Sequence, residues 1–67
     1  MFDLNMTPSQ LDAFLQKHRL SDEQFARILG ITVPAIHHWR AGRRRIPDIY
    51  AKLIRTFDKY PGLLTEF

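Results

Sequence analysis

The sequence predicts an all-α domain of four or five helices, on three observations. Helix-start signals recur: Thr7-Pro8-Ser9-Gln10 and Ser21-Asp22-Glu23-Gln24 are both capping boxes, a hydroxyl followed three residues later by an amide that reaches back to it. Apolar residues then return every three or four positions, the period of a helix face. The later runs close on Gly30, Gly42 or Pro61-Gly62, and no stretch alternates apolar and polar residues as a strand does.

Taken in order, the first helix opens after Thr7, with Pro8 at the position where a missing amide hydrogen costs nothing. Leu11, Phe14, Leu15 and His18 form its apolar stripe, and it ends near His18 or Arg19. The second opens after Ser21. Asp22 and Glu23 lie in its first turn, where the helix dipole favours negative charge. Phe25, Ala26, Ile28 and Leu29 form its inner side and Gly30 stops it. The third is capped by Thr32 or Val33, tolerates Pro34 in its first turn, turns Ile36 and Trp39 inward and ends at Gly42. After the basic loop Arg43-Arg44-Arg45 and Ile46-Pro47, a fourth helix is expected from Asp48 to about Tyr60, with Ile49, Leu53, Phe57 and Tyr60 on one face and Tyr50 and Ile54 widening it. Pro61-Gly62 terminates it, and Leu63 to Phe67 add a further helical turn.

With 67 residues the chain has room for one domain spanning 1–67. A core of this size rarely supplies more than about 3–5 kcal/mol. There are no cysteines, so disulfides and thiolate metal sites are excluded. Support from a second subunit, a homodimer, is therefore expected. No apolar run approaches the length of a bilayer span, and Met1 to Met6 lack the features of a signal peptide. A soluble, cytoplasmic protein with no membrane partner is the expectation. The net charge is +3, and Arg40, Arg43, Arg44 and Arg45 fall close together while the seven acids are scattered. A clustered basic patch on a small domain suits a polyanionic partner.

No catalytic residues are expected, and no enzyme. Ser9 and Ser21 read as helix-start residues, and Asp22 and Glu23 are adjacent on a helix and do not converge as a pair. No glycine-rich loop cradles a phosphate. His37 and His38 project about 100° apart on a helix, a poor arrangement for one metal ion. No metal and no cofactor are expected.

The most informative segment is 22–41, two short helices joined through Gly30-Ile31-Thr32. Gly30 permits the sharp turn, Ala26 lets the helices approach, and Ile36 and Trp39 anchor the second helix. Its opposite side, with Val33, Pro34, His37, His38 and Ala41, is left free. From Leu20 to Pro47 the sequence reads LSDEQFARILGITVPAIHHWRAGRRRIP. This closely resembles the helix-turn-helix of the phage-repressor/Cro-type (Xre-like) transcription regulators: a Leu-Ser start, an acidic first turn, an Ala, a Leu-Gly-Ile turn, a Thr cap, a Pro-Ala-Ile recognition start, a Trp and a closing Gly. The flanking helices fit as well, so the resemblance covers most of the chain.

What the resemblance implies is a lambda-repressor-like DNA-binding domain that lays its third helix in the major groove of double-stranded DNA. The base contacts would fall on Val33, Pro34, His37 and His38, with Arg40 available to read guanine. Thr32, Arg43, Arg44 and Arg45 would meet phosphate, and about six contacts in a dimer would give a salt slope near −5. Many members of the family pair a Glu two residues before the closing Gly with an Arg in the first helix. The corresponding positions align here with Arg40 and Leu15, so that pair is expected to be absent and Arg40 free to face DNA. The resemblance further implies a sequence-specific repressor, a homodimer on an inverted repeat, autoregulating a phage, toxin–antitoxin or anti-CRISPR-type operon. Tyr50, Ile54, Phe57, Leu63, Leu64 and Phe67, from helix 48–60 and the tail, are the expected dimer interface. The competing expectation is a protein-interaction module, antitoxin-like, gripping a partner with that same C-terminal apolar surface.

Overall fold

The computed structural model describes residues 6–66 of the chain. These form four α-helices, α1 (Pro8–Lys17), α2 (Asp22–Leu29), α3 (Val33–Arg40) and α4 (Asp48–Lys59), followed by a 3-10 segment, Pro61–Glu66. There is no strand among the described residues, and none of the helices is long and apolar enough to cross a membrane.

The helix starts follow the side-chain chemistry of the sequence. The Thr7 hydroxyl accepts from the Gln10 amide at 3.1 Å while the Gln10 side chain accepts from the Thr7 amide at 3.0 Å. Ser21 and Gln24 repeat the arrangement at 3.1 and 2.9 Å. Each box satisfies two amides that have no acceptor within the helix. Thr32, not Val33, caps α3, accepting from the Ala35 amide. Pro47 precedes α4 without a side-chain cap.

The helix ends share one device. In each of α1, α2 and α3 an amide donates to the carbonyl five residues back: Leu20 to Leu15 at 2.9 Å, Ile31 to Ala26 at 3.0 Å, and Arg43 to His38 at 2.9 Å. This closure needs a left-handed residue just before the donor. Gly30 (φ +71°) and Gly42 (φ +74°) supply it without strain, whereas α1 uses Arg19 at φ +56°. Leu20 and Ile31, the residues after two of these turns, fold back against the core.

That core comprises Leu11, Phe14 and Leu15 of α1, Phe25 and Ala26 of α2, Ile36 and Trp39 of α3, Ile46 of the loop, and Ala51, Ile54 and Phe57 of α4. Phe25 is fully buried, which contributes about 1.5–3 kcal/mol. It packs on Phe14 with ring centroids 5.6 Å apart, and Trp39 packs on Tyr50 at 5.2 Å. No buried side-chain polar atom among the described residues lacks a partner.

Two expectations about α4 are corrected. The inner face is not Ile49, Leu53, Phe57 and Tyr60. It is Ala51, Ile54 and Phe57, with Tyr50 at its edge. Small Ala51, fully buried, permits close approach of α4 to the core. Ile54 (1 % exposed) and Phe57 (6 %) are consequently spent inside the chain and have no surface to offer a second subunit. The residues left outside are Ile49 (65 %), Leu53, Tyr60 (55 %) and Leu63. Tyr50 and Leu64 are half-buried against the core, and Phe67 lies outside the described residues.

His18 is more enclosed than a helix-end residue needs to be. Its side chain is 10 % exposed, its ring packs at a tilt on Phe14 with centroids 4.7 Å apart, and its Nε2 lies 2.9 Å from Asp58 Oδ1. Lys17 Nζ reaches the same oxygen at 3.1 Å. The hydrogen bond from His18, then that from Lys17, holds the Asp58 carboxyl below its ordinary value and ties the end of α1 to α4.

Two consequences can be measured. A left-handed residue costs about 1–2 kcal/mol when it carries a side chain, and glycine gives back about 0.5–1 kcal/mol through its freer unfolded chain. Arg19→Gly is thus expected to raise stability in urea unfolding by about 0.5–1 kcal/mol, and a loss of stability would contradict the backbone assignment. A carboxyl whose pKa is depressed on folding stabilises the protein above its unfolded pKa, and that contribution disappears as pH falls through the folded value. Asp58→Asn should therefore melt below the parent at pH 5.5. The gap should narrow below pH 4, and a gap independent of pH would show that Asp58 acts by shape alone.

Candidate nucleic-acid interface

The turn between α2 and α3 fixes how α3 presents itself. Gly30 reverses the chain in three residues, and Ala26, 3 % exposed, lets α3 lie close over α2. With Ile36 and Trp39 buried beneath α3, the side chains on its other flank point outward. Pro34, His37 and Ala41 are exposed there. Val33 and His38 are half-buried, and Val33 packs against the core. Of the residues expected to meet bases, Pro34 and His37 are the most accessible, while Val33 has only part of its surface to offer.

Arg40 departs from expectation. It is not free. One terminal nitrogen donates to Asp22 Oδ1 at 2.8 Å and the other to Asp12 Oδ1. The first and third helices are thus ion-paired after all, with the signs exchanged: the acid is on α1 and the base on α3. Leu15, the position at which the partner was sought, is buried in the core, and Asp12 lies nearly one turn earlier. The Asp22 hydrogen bond, and after it the one from Asp12, raises the Arg40 pKa.

The pair extends into a network. Asp22, whose side chain is only 15 % exposed, turns its second oxygen to His37 Nε2 at 3.0 Å. Asp12 uses its second oxygen to accept from Gln16 Nε2 at 2.7 Å. An open groove between the start of α1 and the flank of α3 runs past Asp12, Asp22, His37 and Arg40. Two carboxylates against one guanidinium leave this groove negative by one charge with His37 neutral. The opposite sign gathers just beyond the same C-terminal end of α3, where Arg43, Arg44 and Arg45 are all exposed. Arg45 reaches Asp48 Oδ1 at 3.0 Å across an exposed pair, a contact of the kind that contributes little and is readily exchanged. Thr32 lies exposed at the start of α3, its hydroxyl oxygen accepting from the Ala35 amide.

The sequence reading missed Asp12 and Asp22 as partners of Arg40, and Asp58 as a partner of His18. None of these pairs is close in sequence, and their spacing carries no periodic signal. A scattered acid on each of two helices facing one arginine was the available hint. Compared with known proteins, the chain matches no protein-family model and no curated protein.

Proposed function

We propose that this chain is a DNA-binding helix-turn-helix protein of the phage-repressor/Cro type, a sequence-specific repressor that acts by occupying its operator as a homodimer. The observation that carries the reading is α3 itself: an eight-residue helix anchored from one side only, reached through a three-residue turn from α2, and followed at once by three exposed arginines. A helix in that setting can enter the major groove with Pro34 and His37 toward base edges, while Arg43, Arg44 and Arg45 reach the flanking phosphates. First-turn amides of α2 that Ser21 does not cap add further phosphate donors. Pro34 offers only apolar contact, for instance to a thymine methyl, and His37 can donate or accept at a base edge. Repression by occupancy needs no chemistry beyond binding.

The dimer in this proposal uses the outer stripe of α4. Ile49, Leu53 and Tyr60 share that stripe and Leu63 follows it. An exposed apolar stripe on so small a domain is a natural contact surface. It replaces the set centred on Ile54 and Phe57. The same stripe favours a second reading, in which it grips a different protein in the manner of an antitoxin.

The proposal is tested by selecting duplexes from a random pool with the protein, then titrating the selected and a scrambled duplex by fluorescence anisotropy. Preference for the selected duplex of at least about 10³-fold is expected from a specific binder. Arg43, Arg44 and Arg45 changed together to Ala should weaken binding to both duplexes and flatten the salt slope. Leu53→Lys should leave the fold intact and reduce affinity by uncoupling the two half-sites. Equal affinity for every duplex would reduce the function to electrostatic attraction, and absence of binding at low salt would shift the reading to protein interaction.

A further inference from the structure

Arg40 sits on the helix proposed to meet DNA, yet its guanidinium is already engaged on two sides. Asp22 holds it from α2 and Asp12 from α1. Both partners present carboxylate oxygens, the same acceptor chemistry that a phosphate offers. The Arg40 side chain is 38 % exposed and Asp22 15 %, so the clasp is neither buried beyond reach nor a loose surface pair. Asp22 is held further by His37 and Asp12 by Gln16, which limits their freedom to swing away. A DNA phosphate approaching Arg40 must displace an acceptor already in place, and it meets the second negative charge of the same groove as it does so.

We propose that Asp12 and Asp22 are specificity-determining residues: they withhold Arg40 from the DNA backbone and thereby suppress binding to duplexes that lack the cognate bases. The proposal rests on the DNA-binding reading above. On this account Arg40 is a positioning residue that ties α3 to α1 and α2, and phosphate attraction is left to the arginines at 43–45. Discrimination arises because a sequence-independent cation is held back, while Pro34, which makes no contact with the clasp, still faces the bases; His37, bonded to Asp22, responds to the loss of that acid as well. Neutralising the two acids should release the cation to any duplex.

The experiment measures binding to a scrambled and a selected duplex across 50–200 mM salt for four proteins: the parent, Asp12→Asn, Asp12→Asn/Asp22→Asn, and that double variant with Arg40→Gln added. Melting by circular dichroism identifies folded samples, and Asp12→Asn, which keeps the Asp22 bond, serves if the double variant does not fold. The double variant is expected to bind the scrambled duplex more tightly, to discriminate less, and to lose about 12-fold more affinity than the parent over that salt range, one added phosphate contact in each subunit of the dimer. Adding Arg40→Gln should restore the parental salt dependence, a readout that a purely structural role for the clasp would not move. Identical salt dependence in the double and triple variants would overturn the proposal while leaving DNA binding intact. Failure of both parent and double variant to bind any duplex would overturn it together with the reading beneath it. Binding by the double variant alone would likewise overturn it, since a parent that binds no duplex has no specificity for the acids to enforce.

Discussion

The burial of Ile36 and Trp39 is the contact on which the rest of this small protein depends. A helix of eight residues does not persist in water by its own hydrogen bonds. α3 exists because those two side chains insert into a core built from α1, α2 and α4, with Trp39 resting on Tyr50. The two anchors stand three residues apart, which commits one side of α3 to the interior and leaves the other outward. The left-handed turn at Gly30 sets where the helix begins, and the one at Gly42 sets where the chain leaves it. Everything proposed for the outer flank follows from a helix that is fixed from behind and open in front.

Charge is distributed unevenly over that outer flank. Arg40 adds an electrostatic clamp across three helices at the side where α1 and α2 meet α3, and its two acids make that end negative. Further positive charge lies just beyond the last turn of α3, in the loop Arg43 to Arg45, with Arg45 paired to Asp48. Acidic groove and arginine loop thus lie side by side at the C-terminal end of α3. The core meanwhile stays free of unpaired polar groups among the described residues, so the marginal stability of a small domain is not further taxed by buried charge.

Much of this was legible in the sequence. The capping boxes at Thr7 and Ser21 and the glycines at 30 and 42 are local signals, and local signals fix helix ends. The inward residues of α1 and α3 were readable because each helix carries one apolar stripe. α4 was not, because it carries two: Ile49, Leu53 and Tyr60 on one line, Tyr50, Ile54 and Phe57 on another. Period alone cannot say which faces the core. Ala51 breaks the tie, since a small residue marks the closest approach, but that is visible only once the neighbours are in place. Ile46 and the partners of Arg40 were hidden for the same reason, being set by tertiary position and not by spacing. Arg19 gave no warning, because a positively charged side chain is an unusual occupant of a left-handed turn.

The central claim is that the outer flank of α3 and the arginine loop form the DNA-contacting surface. The most direct test is amide chemical-shift mapping by NMR on adding a selected duplex to the isotopically labelled protein. The account predicts the largest changes at residues 33–45 and at the start of α2, with the inner face of α4 undisturbed. Changes confined to the outer stripe of α4, with α3 and the loop silent, would contradict it.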